Sequence, residues 1–134
     1  MRPRLDKPYS ELVERDKEDN RAAGRRIVSV LTLLGLGLER EGDAAPQSMP
    51  QEELSAMIER NIERLAEAEH DGWMEHLRHN GWRYAEARDN TKKLHPSMLP
   101  YAELTEQDKE KDRNNVRHYP EFAARAGYRI VRLK

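Results

Sequence analysis

Pro8-Tyr9-Ser10-Glu11-Leu12-Val13-Glu14-Arg15-Asp16-Lys17-Glu18-Asp19-Asn20-Arg21 returns 92 positions later as Pro100-Tyr101-Ala102-Glu103-Leu104-Thr105-Glu106-Gln107-Asp108-Lys109-Glu110-Lys111-Asp112-Arg113. The offset runs without a gap to Gly35, which falls on Gly127, and 11 of the 31 positions in 8–38 are identical to their counterparts in 100–130. Self-similarity of this kind describes two copies of one structural unit and outranks any local propensity. The copies are unequal. About fifty residues of the unit stand in front of Pro100, and seven residues stand in front of Pro8.

Working outward from the repeat, residues 13–34 read as a helix, with Ala23, Ile27, Val30, Leu31 and Leu34 at one-face spacing and Gly35 placed to cap its end. Residues 36–39 follow as a short strand. Residues 40–50, with Gly42, Pro46 and Pro50, read as a linker. Ser48 and Gln51 have the spacing of a capping box, which predicts one long helix from there to about Asn80. Its buried stripe is Leu54, Met57, Ile58, Ile62, Leu65, Ala68 and Trp73. Asn80-Gly81 ends that helix, Trp82-Arg83-Tyr84 suits a short strand, and residues 85–104 read as an irregular connection. Thr105 caps the next helix, with Asp108 in its first turn.

The second copy departs from the first at Pro120, which aligns with mid-helix Val28. Proline inside a continuous helix costs about 3 kcal/mol. Two helices are therefore expected, one over 105–118 and one opening at Pro120, followed by Gly127 and an edge strand over 128–133.

Composition narrows the function classes. Charged and apolar residues each make up 37% of the 134 residues, with one Phe and two Trp, a polar, helix-rich balance with a thin core. A formal charge of −1 gives no reason to expect a nucleic-acid or anionic-membrane partner. The absence of cysteine excludes disulfides and thiolate chemistry, and suits a reducing cytosol. Residues 27–38, the most apolar run, are too short to span a bilayer. A soluble, cytoplasmic protein is the expectation.

Residues 54–130 resemble the RyR domain, the repeat named after ryanodine receptors. The resemblance is carried by His70 and Trp73, then Gly81-Trp82-Arg83-Tyr84, Asp89, Lys92-Lys93, His95-Pro96 and Leu99-Pro100-Tyr101. It continues through Leu104, Lys109-Glu110, Asp112-Arg113 and Gly127-Tyr128-Arg129-Ile130. Glu69 stands where the family usually has an apolar residue, and Ala85 where it usually has Gly. The resemblance implies a mainly α fold with short β-strands, a pseudo-twofold tandem of helix pairs with a partial first repeat. Residues 1–40 would be the second half of a unit, 41–50 a linker and 51–134 a complete unit, all in one compact domain. It implies a bacterial-type interaction or sensory module that takes a nucleotide-like ligand. The loop between paired units is phosphorylated in one ryanodine-receptor pair. Here it contains a single hydroxyl, Ser48, without a preceding Arg-Arg-x-Ser.

Four constellations invite chemistry. His70, His76 and His79 with Glu69 and Glu75 lack the converging ligands a zinc site needs, so no metal and no cofactor is expected. His70 reads as hydrogen-bonded and partly buried beside Trp73, and His76 and His79 as solvated. Glu67, Glu69 and Asp71 read as a surface lattice with Arg60 and Arg64, so no catalytic residue is expected. Asp16-Lys17-Glu18 with Arg21, and Asp108-Lys109-Glu110 with Arg113, read as structural anchors. Trp82, Tyr84, Lys92, Lys93, His95, Tyr101 and Arg113 combine ring faces with cations, as a planar anion such as a nucleotide requires, and are the candidate ligand-binding set. Because the first copy lacks its long helix, an open apolar face covered by a protein partner or by a second copy in a homodimer is also expected.

Overall fold

The computed structural model describes residues 14–40 and 49–133. In chain order these form α1 (Glu14–Thr32), β1 (Leu36–Arg40), α2 (Gln51–Arg60), α3 (Ile62–His79), β2 (Arg83–Tyr84) and β3 (Leu94–His95). A 3-10 turn (Tyr101–Glu103), α4 (Glu106–Arg117), α5 (Tyr119–Arg125) and β4 (Tyr128–Arg132) complete the chain. The protein is mainly helical with a few short strands.

The apolar stripe of α1 does what its spacing demands: Ala23, Ile27, Val30 and Leu31 are buried, and Leu34 is partly buried against them. Gly35, at φ +71°, turns the chain into β1 through a left-handed conformation that a side chain would resist. Gly127, at φ +84°, performs the same turn between α5 and β4. β1 and β4 pair antiparallel, Leu36 opposite Arg132, Leu38 opposite Ile130 and Arg40 opposite Tyr128. Under the 92-residue offset, β1 falls onto β4 end to end, and the central residue Leu38 falls onto the residue it pairs with.

The expected long helix over 51–80 is instead two helices, interrupted at Asn61 (φ −117°, ψ 18°). The Asn61 amide donates to the Met57 carbonyl at 2.8 Å, a local bond that competes with the helical ladder, while its own carbonyl accepts from the Leu65 N–H to open α3. The capping box is likewise replaced. Pro50 is the N-cap, without a side-chain bond, Gln51 is the first helical residue, and Ser48 lies outside the described residues. Glu52 and Glu53 in the first turn compensate by complementing the helix dipole. Thr105 caps α4 as expected, its hydroxyl accepting from the Asp108 N–H at 3.1 Å, and Pro120 lies in the first turn of α5.

α3 packs against both α1 and α4. The main core gathers Ile27 and Leu31 of α1, Leu36, Leu54 and Ile58, Leu65 of α3, Val116, Tyr119, Ala123 and Ile130. Trp73, Met74, Leu77, Trp82 and Met98 form a second cluster at the far end of α3. Ala66, Tyr101 and Leu104 form a third.

Candidate functional site

The segment that follows α3 is built around a reversal at Gly81 (φ +88°). Beyond it β2 and β3 pair in parallel, Arg83 opposite Leu94 and Tyr84 opposite His95. Parallel strands this short are held by the folded loop between them. Asp89 and Leu94 exchange backbone bonds of 3.0 and 2.9 Å, and Asp89 Oδ1 accepts from the Lys92 N–H at 3.0 Å. Lys93 adopts φ +58°, and its ammonium donates to the Asn80 carbonyl at 2.8 Å, placing a cation at the C-terminus of α3.

The structure gathers five of the seven candidate residues here and uses them unequally. Trp82 is 7% exposed and belongs to the Trp73 cluster. His95 is half-buried, with its ring edge-on to Trp73 at 5.1 Å, and its Nδ1 accepts the Ser97 N–H at 3.0 Å. Lys93 is the helix-end cation just described. Tyr84, 47% exposed, and the exposed Lys92 remain at the surface together with Arg83.

Tyr101 and Arg113 converge elsewhere, on Glu63. The buried Tyr101 hydroxyl donates to Glu63 Oε2 at 2.8 Å, and Arg113 Nε donates to Glu63 Oε1 at 2.5 Å. Arg113 also bonds Glu106 at 2.6 Å, so this network pins α4 to α3. The Arg113 bonds hold the Glu63 carboxyl below the usual carboxylate range. Burial, reinforced by Glu63, pushes the Tyr101 phenol up to about 12.

Between these two regions lies His70, fully buried rather than partly so. Its Nε2 donates to the Leu99 carbonyl at 2.6 Å, and its Nδ1 stands 3.2 Å from Asp112 Oδ2, close enough for an ion pair although not aligned as a hydrogen bond. The imidazole is thereby held between the Leu99 carbonyl and the equally buried Asp112 side chain. A cavity of about 110 Å³ adjoins the pair, lined also by Arg88, His95, Ser97, Asp108 and Lys111. That volume suits a few waters or a small ion and is well below the usual size of an organic-ligand pocket.

Glu69 is not part of a surface lattice. It is buried, accepting from Arg26 Nε at 2.6 Å and from the Tyr119 hydroxyl at 3.1 Å. Gly72 makes room for this pair, since a Cβ there would stand 2.7 Å from Arg26 Cδ. Burial raises the Tyr119 phenol well above its ordinary value, and the Glu69 charge raises it further. The signal in the sequence was the acidic residue at a usually apolar position, but its partner lies 43 residues away. Among the described residues no group of three or more His, Asp or Glu side chains is arranged to hold a metal ion. No described helix is long and apolar enough to cross a membrane. A family model described as RyR domain matches residues 44–132, about two thirds of the chain.

Proposed function

The chain belongs to the RyR domain family, and from that premise we propose that it is a non-catalytic, cytoplasmic recognition module whose contact face is the β2–β3 edge. The observation that carries this reading is Tyr84. An aromatic ring left 47% exposed, on a segment that also exposes Arg83 and Lys92, contrasts with Trp82 two residues earlier, which is spent on the core. An exposed ring on a segment that carries cations suits a planar anion, and a nucleotide-like ligand is the class that uses both stacking and charge-assisted hydrogen bonds. A role without catalysis is supported by Glu69, which is committed to Arg26 and Tyr119 rather than presented to a cleft.

The test is a thermal-shift screen of the whole chain against nucleotides and nucleotide second messengers, repeated on Tyr84→Ala and Lys92→Ala. A ligand that raises the melting temperature of the parent, with the shift lost in both variants, is the expected result. A shift retained in Tyr84→Ala, or no shift with any nucleotide, refutes the reading. Trp82 and Lys93 are unsuitable probes, because their substitution removes core packing and a helix-end bond respectively.

A further inference from the structure

We infer that the outer face of α1 is a docking surface for an acidic segment of another polypeptide, one that presents two glutamates four residues apart across a helix junction. Arg21, Gly24, Arg25 and Val28 fall on one face of α1 by their spacing, and all four are exposed. The opposite stripe of the same helix is in the core.

What belongs on such a face can be read from the same molecule. The 92-residue offset carries these four positions onto Arg113, Val116, Arg117 and Pro120, with both arginines identical. On α4 that face is covered by α2 and α3. Val116 is fully buried with Leu54, Ile58 and Leu65. Arg117 Nε reaches Glu59 Oε1 at 2.7 Å and Arg113 Nε reaches Glu63 Oε1 at 2.5 Å, so two glutamates four residues apart receive the two arginines. Arg113 makes this bond while also holding Glu106 and Glu110 of its own helix. Interactions of Arg21 and Arg25 within their own chain therefore leave the same use open to them.

A Cβ built on Gly24 meets nothing within 4 Å, so the face is open in the described chain at the position where α4 carries the buried Val116. A second copy of this chain is poorly suited to the role, because Glu59 and Glu63 of every copy already receive Arg117 and Arg113.

The probe is a synthetic peptide with the sequence of residues 51–79, which carries Glu59 and Glu63, titrated into the isotopically labelled whole chain. Amide shifts concentrated at Gly24 and Val28 are expected. Affinity should fall by at least about tenfold in Arg21→Glu/Arg25→Glu. A peptide with Glu59→Lys and Glu63→Lys should restore binding to that charge-reversed chain. Gly24→Val, which gives α1 the residue that α4 carries at the equivalent position, should keep both the fold and the binding, and rescue by the charge-swapped peptide separates loss of the surface from loss of the structure. The proposal is overturned by no shift on α1, by binding indifferent to charge reversal, or by binding lost in Gly24→Val. It is equally overturned if light scattering finds a dimer of the chain alone that charge reversal dissolves.

Discussion

At the scale of single residues, the decisive feature is a charge placed in the interior. Glu69→Ala would leave the Arg26 guanidinium buried without its carboxylate, and a loss of about 3–5 kcal/mol in denaturant unfolding is expected. Replacing both partners by apolar residues, Arg26→Met with Glu69→Leu, should recover most of that loss. Gly24→Ala is expected to act in the opposite sense, stabilising the chain by about 0.5–1 kcal/mol, because α1 gains helix propensity and the new methyl meets no neighbour. The phenols set an alkaline limit. Their folded pKa values lie above the unfolded value near 10, so their contribution is complete below about pH 10 and is lost as pH rises toward 12, where Tyr101 titrates. Tyr101→Phe should flatten part of that decline. Glu63 has the opposite sign: its folded value is lowered, so its contribution is present above about pH 4.3 and fades as pH falls. None of this was legible at Glu69 itself. Whether a carboxylate is buried depends on Arg26 and Tyr119, which its neighbours in sequence do not report.

At the scale of elements, boundaries set by backbone chemistry were legible and those set by competition were not. Gly35, Gly127, Thr105 and Pro120 each enforce a turn, a cap or a break through their own covalent structure, and each element starts or stops where they say. Asn61 is different. It carries a helix-compatible side chain in an apolar-periodic run, and it breaks the helix because its amide finds the Met57 carbonyl. Asn61→Ala should merge α2 and α3, raising helical circular dichroism slightly. It should also cost about 1 kcal/mol through the lost hydrogen bond and the altered seating of α2 on α4. The β2–β3 pairing was half legible. Residues 82–84 carry strand residues, but the partner at Leu94–His95 follows a loop whose Asp89 bonds cannot be inferred from residue type. That pairing divides the candidate set, since it sets Tyr84 opposite His95 and leaves Tyr101 and Arg113 to Glu63.

At the scale of the whole molecule, we propose that the two copies in the sequence are seated as pseudo-equivalent partners around the β1–β4 ladder. Leu38 opposite Ile130, with Leu36 opposite Arg132 and Arg40 opposite Tyr128, is the register that a twofold relation between the copies requires. The mainly helical architecture was legible because apolar residues at one-face spacing and the Gly and Pro breaks marked its helices. The site was less legible, because an aromatic residue in a sequence is equally suited to the core and to a ligand, and only packing against Trp73 separates Trp82 from Tyr84. The central functional claim concerns the surface left at Tyr84. Amide shift mapping of the labelled chain against a nucleotide panel tests it most directly. The account predicts that a binding nucleotide perturbs Arg83, Tyr84 and Lys92 together, and that Tyr84→Ala removes the perturbation. A nucleotide that binds while those three amides stay unmoved would contradict it.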